Sequence, residues 1–180
     1  VFGQSHHGCS LVLICGGSEI AQQAAMMGLP EDRRDIPFLE TQVPALVRAH
    51  RSDITCISNS PFGGSLPFHV NSGVAHYYGV GAYLRPLEDA RRADVSFAAE
   101  CLAFANVPDA TTLRSQTSVP PVDHPLWKSR VPRDRGASWD FEDVREHYMT
   151  LLYSVDCNQM RRDNRDRYLA FARAAPAEVM

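Results

Sequence analysis

The chain has 180 residues, with 18 Lys and Arg against 21 Asp and Glu and a net charge of −3, so residues 1–180 read as a single domain. At 44% hydrophobic and 22% charged residues it falls in the globular range, which excludes wholesale disorder, and without a basic block it excludes a nucleic-acid partner. No apolar run approaches the ~18–20 residues a membrane span needs, which excludes a spanning helix as a partner for lipid.

Five scattered cysteines (Cys9, Cys15, Cys56, Cys101, Cys157) contain no C-x-x-C pair. That pattern favours free thiols over a disulfide framework or a zinc site. The chain opens at Val1 with no targeting signal and closes at Met180 inside a helical pattern, so an internal piece of a longer protein is expected.

Leu11–Gly16 is a continuous apolar run closed by Gly17, the pattern of a strand buried on both faces. Ile20–Leu29 reads helical and ends at Gly28 and Pro30. Pro37–His50 repeats apolar residues at helical spacing, and Pro44 should kink it or divide it. Ile54–Ser58, Val74–Val80 and Val95–Ala99 read as strands, and Leu84–Ala93 as a charged helical turn or two. Asp109–Ala137 is rich in Pro, Ser and Arg and reads as a long loop. Trp139–Tyr153 and Arg165–Met180 read as amphipathic helices.

Four short apolar strands separated by helices or loops indicate a parallel α/β arrangement. Chemistry in such folds gathers where the strands end. Glu19 stands after the first strand and Glu100 after the fourth. Two carboxyls so placed suit glycoside hydrolysis, one protonating the leaving oxygen and the other attacking or activating water. The alternative for each is an N-cap or first-turn Glu favoured by a helix dipole.

His69, Asn71 and His76 lack the H-E-x-x-H spacing of a zinc helix, so sugar contacts or core imidazoles are expected in place of a metal. Tyr77, Tyr78 and Tyr83 offer either a stacking wall for a sugar or barrel packing. Gly16-Gly17-Ser18-Glu19-Ile20 lacks the closing Gly of a G-x-S-x-G turn. Cys15 and Cys101 have no base at a telling spacing, so a Ser or Cys nucleophile has little behind it.

Four segments in order, LVLICGGSE, ITCISNSPFGG, GVAHYYGVGAYLRPLEDARR and VSFAAECLAFANVP, resemble the second half of a family 2 glycoside hydrolase barrel, nearest its β-mannosidase-like members. The resemblance covers roughly Ser5 to Pro108, and more weakly Trp139 to Met180. It implies an α/β fold, a partial (β/α)8 TIM barrel of about strands 4 to 7 with their helices.

The same resemblance implies Glu19 as acid/base and Glu100 as nucleophile of a retaining β-glycosidase, with no cofactor and no metal. Ser18, Asn59, His76 and Tyr78 fall on positions that line the sugar site. Ser18 stands where the family has an Asn that contacts the sugar 2-hydroxyl, and Cys101 where an aromatic residue and Gly are common. The implied partner is a carbohydrate, a β-linked mannoside first, a β-galactoside or β-glucuronide behind it. The remainder of the parent chain would complete the barrel. A degenerate barrel that binds carbohydrate without cleaving it is the alternative.

Overall fold

A computed structural model describes residues 10–116 and 118–180. Cys9 and the start of the glycosidase-like stretch at Ser5 lie outside the described residues. The chain is mixed α/β and divides into two compact units. One takes the chain up to Tyr77 together with Arg91–Glu100; the other takes Tyr78–Ala90 and Cys101–Met180.

In the first unit, β1 (Leu13–Cys15) runs parallel to β2 (Thr55–Ile57), with Leu13 opposite Thr55 and Cys15 opposite Ile57. An isolated parallel bridge between Ser18 and Ser60 prolongs the pairing past both strands. Helix α1 (Ile20–Met26) follows β1 and ends before Gly28, whose φ of +75° suits a residue without Cβ. Helix α2 (Val43–His50) is preceded by a π-type turn, Phe38–Gln42. Pro44 sits in the first turn of α2, and the helical backbone runs on through it, Gln42 and Val43 keeping right-handed helical angles, so the segment changes from π-type to α-helical winding there without dividing. Leu39, Val47, Ile54, Ile57, Ala75 and Tyr77 are buried.

β1 is not buried on both faces as its apolar run implied. Val12 is 73% exposed. Among the described residues β1 pairs with β2 alone.

β3 (Val74–Gly81) and β4 (Phe97–Leu102) form a second two-stranded sheet. β4 begins and ends later than the expected Val95–Ala99, which places Glu100 within the strand and not beyond it. Between them α3 is short, Glu88–Arg92.

The second unit is mainly helical. The stretch expected as loop contains α4 (Ala110–Ser115), with Asp109 capping it by accepting from the Thr111 and Thr112 N–H groups. It also contains a 3₁₀ turn at Trp127–Arg130. Helix α5 (Phe141–Tyr153) opens on a reciprocal capping box between Asp140 and Asp143. Helix α6 (Cys157–Asp163), which the sequence reading left out, and α7 (Arg165–Val179) are capped by Asp156 and Asn164.

The core of this unit joins Val122, Met149, Cys157, Tyr168, Ala172 and Ala175. Burial pushes the Cys157 thiol up, consistent with a packed small hydrophobe. Among the described residues no helix is long and apolar enough to cross a membrane.

Candidate active site

The candidate site lies in the first unit, where β1 and β2 end. Gly16 permits the close approach there: a Cβ on it would stand 2.7 Å from the Ser58 carbonyl oxygen. Beyond β1 the backbone locks onto Ser60 in both directions. The Ser60 N–H donates to the Gly17 carbonyl at 2.9 Å, and the Glu19 N–H donates to the Ser60 carbonyl at 2.6 Å. Between these bonds Glu19 adopts φ 57°, ψ 8°, a left-handed conformation that costs a residue with a Cβ energy and recurs at functional positions. The turn holds the Glu19 side chain over the strand ends before α1 begins.

Three elements then converge. Ser18 Oγ donates to Glu100 Oε1 at 2.9 Å. His76 Nδ1 lies 2.9 Å from Glu19 Oε1 and 3.4 Å from Glu100 Oε2. Gln22 and Gln23, one turn along α1, donate to Glu19 Oε1 and Oε2 at 3.2 and 3.4 Å. The His76 side chain is 2% exposed, against 30% for Glu19 and 39% for Glu100. A buried imidazole thus stands behind two carboxylates that reach solvent.

One ligand atom from each of Glu19, His76 and Glu100 lies within 4.8 Å of the others. The same three atoms are the group among the described residues that could take a metal ion. An ion placed between His76 and Glu19 would have to break their direct 2.9 Å contact.

Of the residues singled out in the sequence, Ser18, Glu19, His76 and Glu100 are brought together. Asn59 is buried beside them. With its amide oriented to satisfy both ends, it donates to the Gly17 carbonyl at 3.1 Å and accepts from the Ala21 N–H at 3.3 Å. It holds the turn that carries Glu19. Tyr78 belongs to the second unit and is half-buried, Tyr77 is core, and Tyr83 is exposed.

No family model and no curated protein matches the chain. The site's chemistry therefore rests on its own geometry.

His69 lines a cavity of about 390 Å³ together with Asp35, Glu40, Asn59 and Phe62. Its Nδ1 meets Ser65 Oγ at 3.1 Å. Asn71 is exposed.

Ser60, a polar residue at the end of the second strand that was not among the expected site residues, also reaches this cluster. Its Oγ lies 2.7 Å from His76 Nε2, in a buried contact. Ser60, His76 and Glu19 thus connect in the order of a Ser-His-acid triad. Ser60 is only 5% exposed, so its hydroxyl anchors the ring and is badly placed to attack a substrate. The signal available in the sequence was its place directly after β2, the strand paired with β1.

The thiol of Cys101 is pushed up by burial, which disfavours the nucleophilic thiolate.

Proposed function

We propose that the chain carries the catalytic carboxylates of a retaining β-glycosidase, within four strands and associated helices of a (β/α)8 barrel that the rest of the parent chain completes. The carrying observation is the approach of Glu19 and Glu100, with ligand atoms within 4.8 Å of each other. Retaining enzymes hold their carboxyls ~5–5.5 Å apart, whereas inverting ones leave ~6.5–9.5 Å for a water. Carboxyl oxygens within 4.8 Å of each other support a shared site, and the retaining assignment follows the family resemblance.

In this reading Glu100 attacks the anomeric carbon as Glu19 gives its proton to the glycosidic oxygen. The carbon–oxygen bond breaks, the alcohol leaves, and a glycosyl ester forms on Glu100. Glu19, now ionised, takes a proton from water. The water oxygen attacks the anomeric carbon, the ester bond breaks, and Glu100 is released as carboxylate. The balance closes without metal or cofactor. The proposed substrate is a β-linked sugar at a non-reducing end, a β-mannoside first and a β-galactoside or β-glucuronide next.

Turnover of nitrophenyl β-glycosides by the full chain tests the reading. Glu100→Gln should abolish turnover for every substrate. Glu19→Ala should be rescued by azide, with a β-glycosyl azide as product, because a small anion needs no general base. Retained activity in Glu100→Gln would refute the assignment.

A second reading, a carbohydrate-binding barrel that does not cleave, is favoured by the Ser18 hydroxyl bound to Glu100 Oε1. It predicts saturable sugar binding without turnover.

A further inference from the structure

We infer that Ser60 and His76 form a buried relay that positions both carboxylates, with Ser60 holding the ring in the one tautomer able to do so. The catalytic part of this inference rests on the glycosidase reading; the tautomer does not.

An ionised carboxylate only accepts hydrogen bonds. Glu100 accepts as a carboxylate, and Glu19 accepts on Oε1 with its acid proton carried on Oε2, so Nδ1, 2.9 Å from Glu19 Oε1 and 3.4 Å from Glu100 Oε2, is the nitrogen that carries the proton. In a neutral imidazole Nε2 is then an acceptor. Ser60 Oγ, 2.7 Å away in a buried contact, supplies the donor. With the His76 side chain 2% exposed, water is a poor substitute for that hydroxyl. Without it the ring would lose the bond that favours Nδ1–H, and with it the donor aimed at the carboxylates.

Ser60 acts on the same site a second time, through its backbone. Its carbonyl accepts from the Glu19 N–H and its own N–H donates to the Gly17 carbonyl. One residue therefore fixes the main chain of Glu19 and the imidazole that its carboxylate meets. This makes Ser60 a positioning residue, with His76 as its agent, in place of the sugar contact expected of His76.

The test combines a spectroscopic and a kinetic readout on the full chain. Histidine-selective ¹⁵N NMR at neutral pH, with the His76 signals assigned by their loss in His76→Gln, should show the proton on Nδ1 and a bare Nε2. In Ser60→Ala the Nε2–H form should grow. A wild-type ring protonated on Nε2, or on both nitrogens, overturns the inference, as does labelling of Ser60 by a fluorophosphonate.

Kinetically, Ser60→Ala should lower kcat about 10–100-fold with little change in KM, and Ser60→Thr, which keeps the hydroxyl, should recover most of it. If Glu100→Gln abolishes turnover while Ser60→Ala leaves kcat unchanged, the relay is wrong and the glycosidase reading stands. If the wild-type ring carries Nδ1–H yet no glycoside is turned over, the glycosidase reading fails and the relay stands as a property of the site. Should Ser60→Ala not fold, the wild-type tautomer alone decides.

Discussion

The Ser18 hydroxyl donates to Glu100 Oε1 across 2.9 Å, joining residues 82 positions apart. It ties the turn after β1 to the interior of β4 and occupies one oxygen of the proposed nucleophile. The glycosidase resemblance puts an Asn at Ser18, reaching for the sugar and not for the carboxylate. Ser18→Asn is therefore expected to raise kcat/KM on a β-mannoside roughly fivefold, about 1 kcal/mol for one gained hydrogen bond. Steady-state kinetics against Ser18→Ala measures it. A gain shared by both variants would mean that release of Glu100 matters and not the sugar contact.

Gly16 is where added bulk meets backbone. A Cβ there lies 2.7 Å from the Ser58 oxygen and 3.4 Å from its carbonyl carbon, so β1 and β2 must part. Gly16→Ala should cost about 1–3 kcal/mol and reduce activity as well, since the same strand ends position Glu19. A thermal melt at the wild-type midpoint would show that the strands separate freely.

Glu142 in the second unit is buried and accepts from Trp127 Nε1 at 3.0 and 2.9 Å and from the Tyr168 hydroxyl at 2.7 Å. Arg161 pairs with it at 3.0 Å and Arg145 approaches to 3.5 Å. Burial pushes the Tyr168 phenol far up, so it stays a donor. Glu142→Ala removes the carboxylate that faces the guanidinium groups of buried Arg145 and of Arg161 and that accepts from Trp127 and Tyr168, while Arg145 keeps its bonds to the Ala105 carbonyl and the Tyr168 hydroxyl. A loss of about 3–5 kcal/mol is expected from urea unfolding. A change below ~1 kcal/mol would mean that the network relaxes around the gap.

Lys128 and Asp143 give the second unit an acid-sensitive contact. Burial alone would raise the Asp143 carboxyl, but bonds from Lys128 and the Asp140 backbone outweigh it and hold the carboxyl below its usual value. A carboxyl lowered by folding stabilises the fold above its unfolded pKa and loses that contribution as pH falls through the folded value. For Lys128, burial would lower the ammonium, yet the Asp143 and Asp140 carboxylates raise it. Its contribution is thus complete below the ordinary lysine range and lost as pH rises through the elevated value. Asp143→Asn should flatten the acid limb of the stability–pH curve, read from denaturation midpoints. An unchanged acid limb would assign that limb to other carboxyls.

Much of this was legible in local pattern. β2, β3, α5 and α7 lie where the apolar periodicity put them, to within a few residues, because each has a buried face that selects its residues. Helix α6 was missed because its signal is a cap, Asp156, and not an apolar stripe. The exposure of Val12 was illegible because a run of apolar residues does not state how many neighbours its strand has. Glu19 and Glu100 stood out as carboxyls near strand ends. Ser60 stood at a strand end as well, but its partner did not show, since only the fold brings it against the imidazole of His76.

The central claim is that Glu100 becomes covalently attached to the sugar, and trapping that ester tests it most directly. The full chain would be incubated with a 2-deoxy-2-fluoro-β-mannosyl fluoride, whose good leaving group lets the ester form while the fluorine slows its hydrolysis. After proteolysis, mass spectrometry is expected to find one fluoroglycosyl group on the peptide containing Glu100, at that carboxyl. Attachment at another residue, or a product of inverted anomeric configuration with no attachment, would contradict the account.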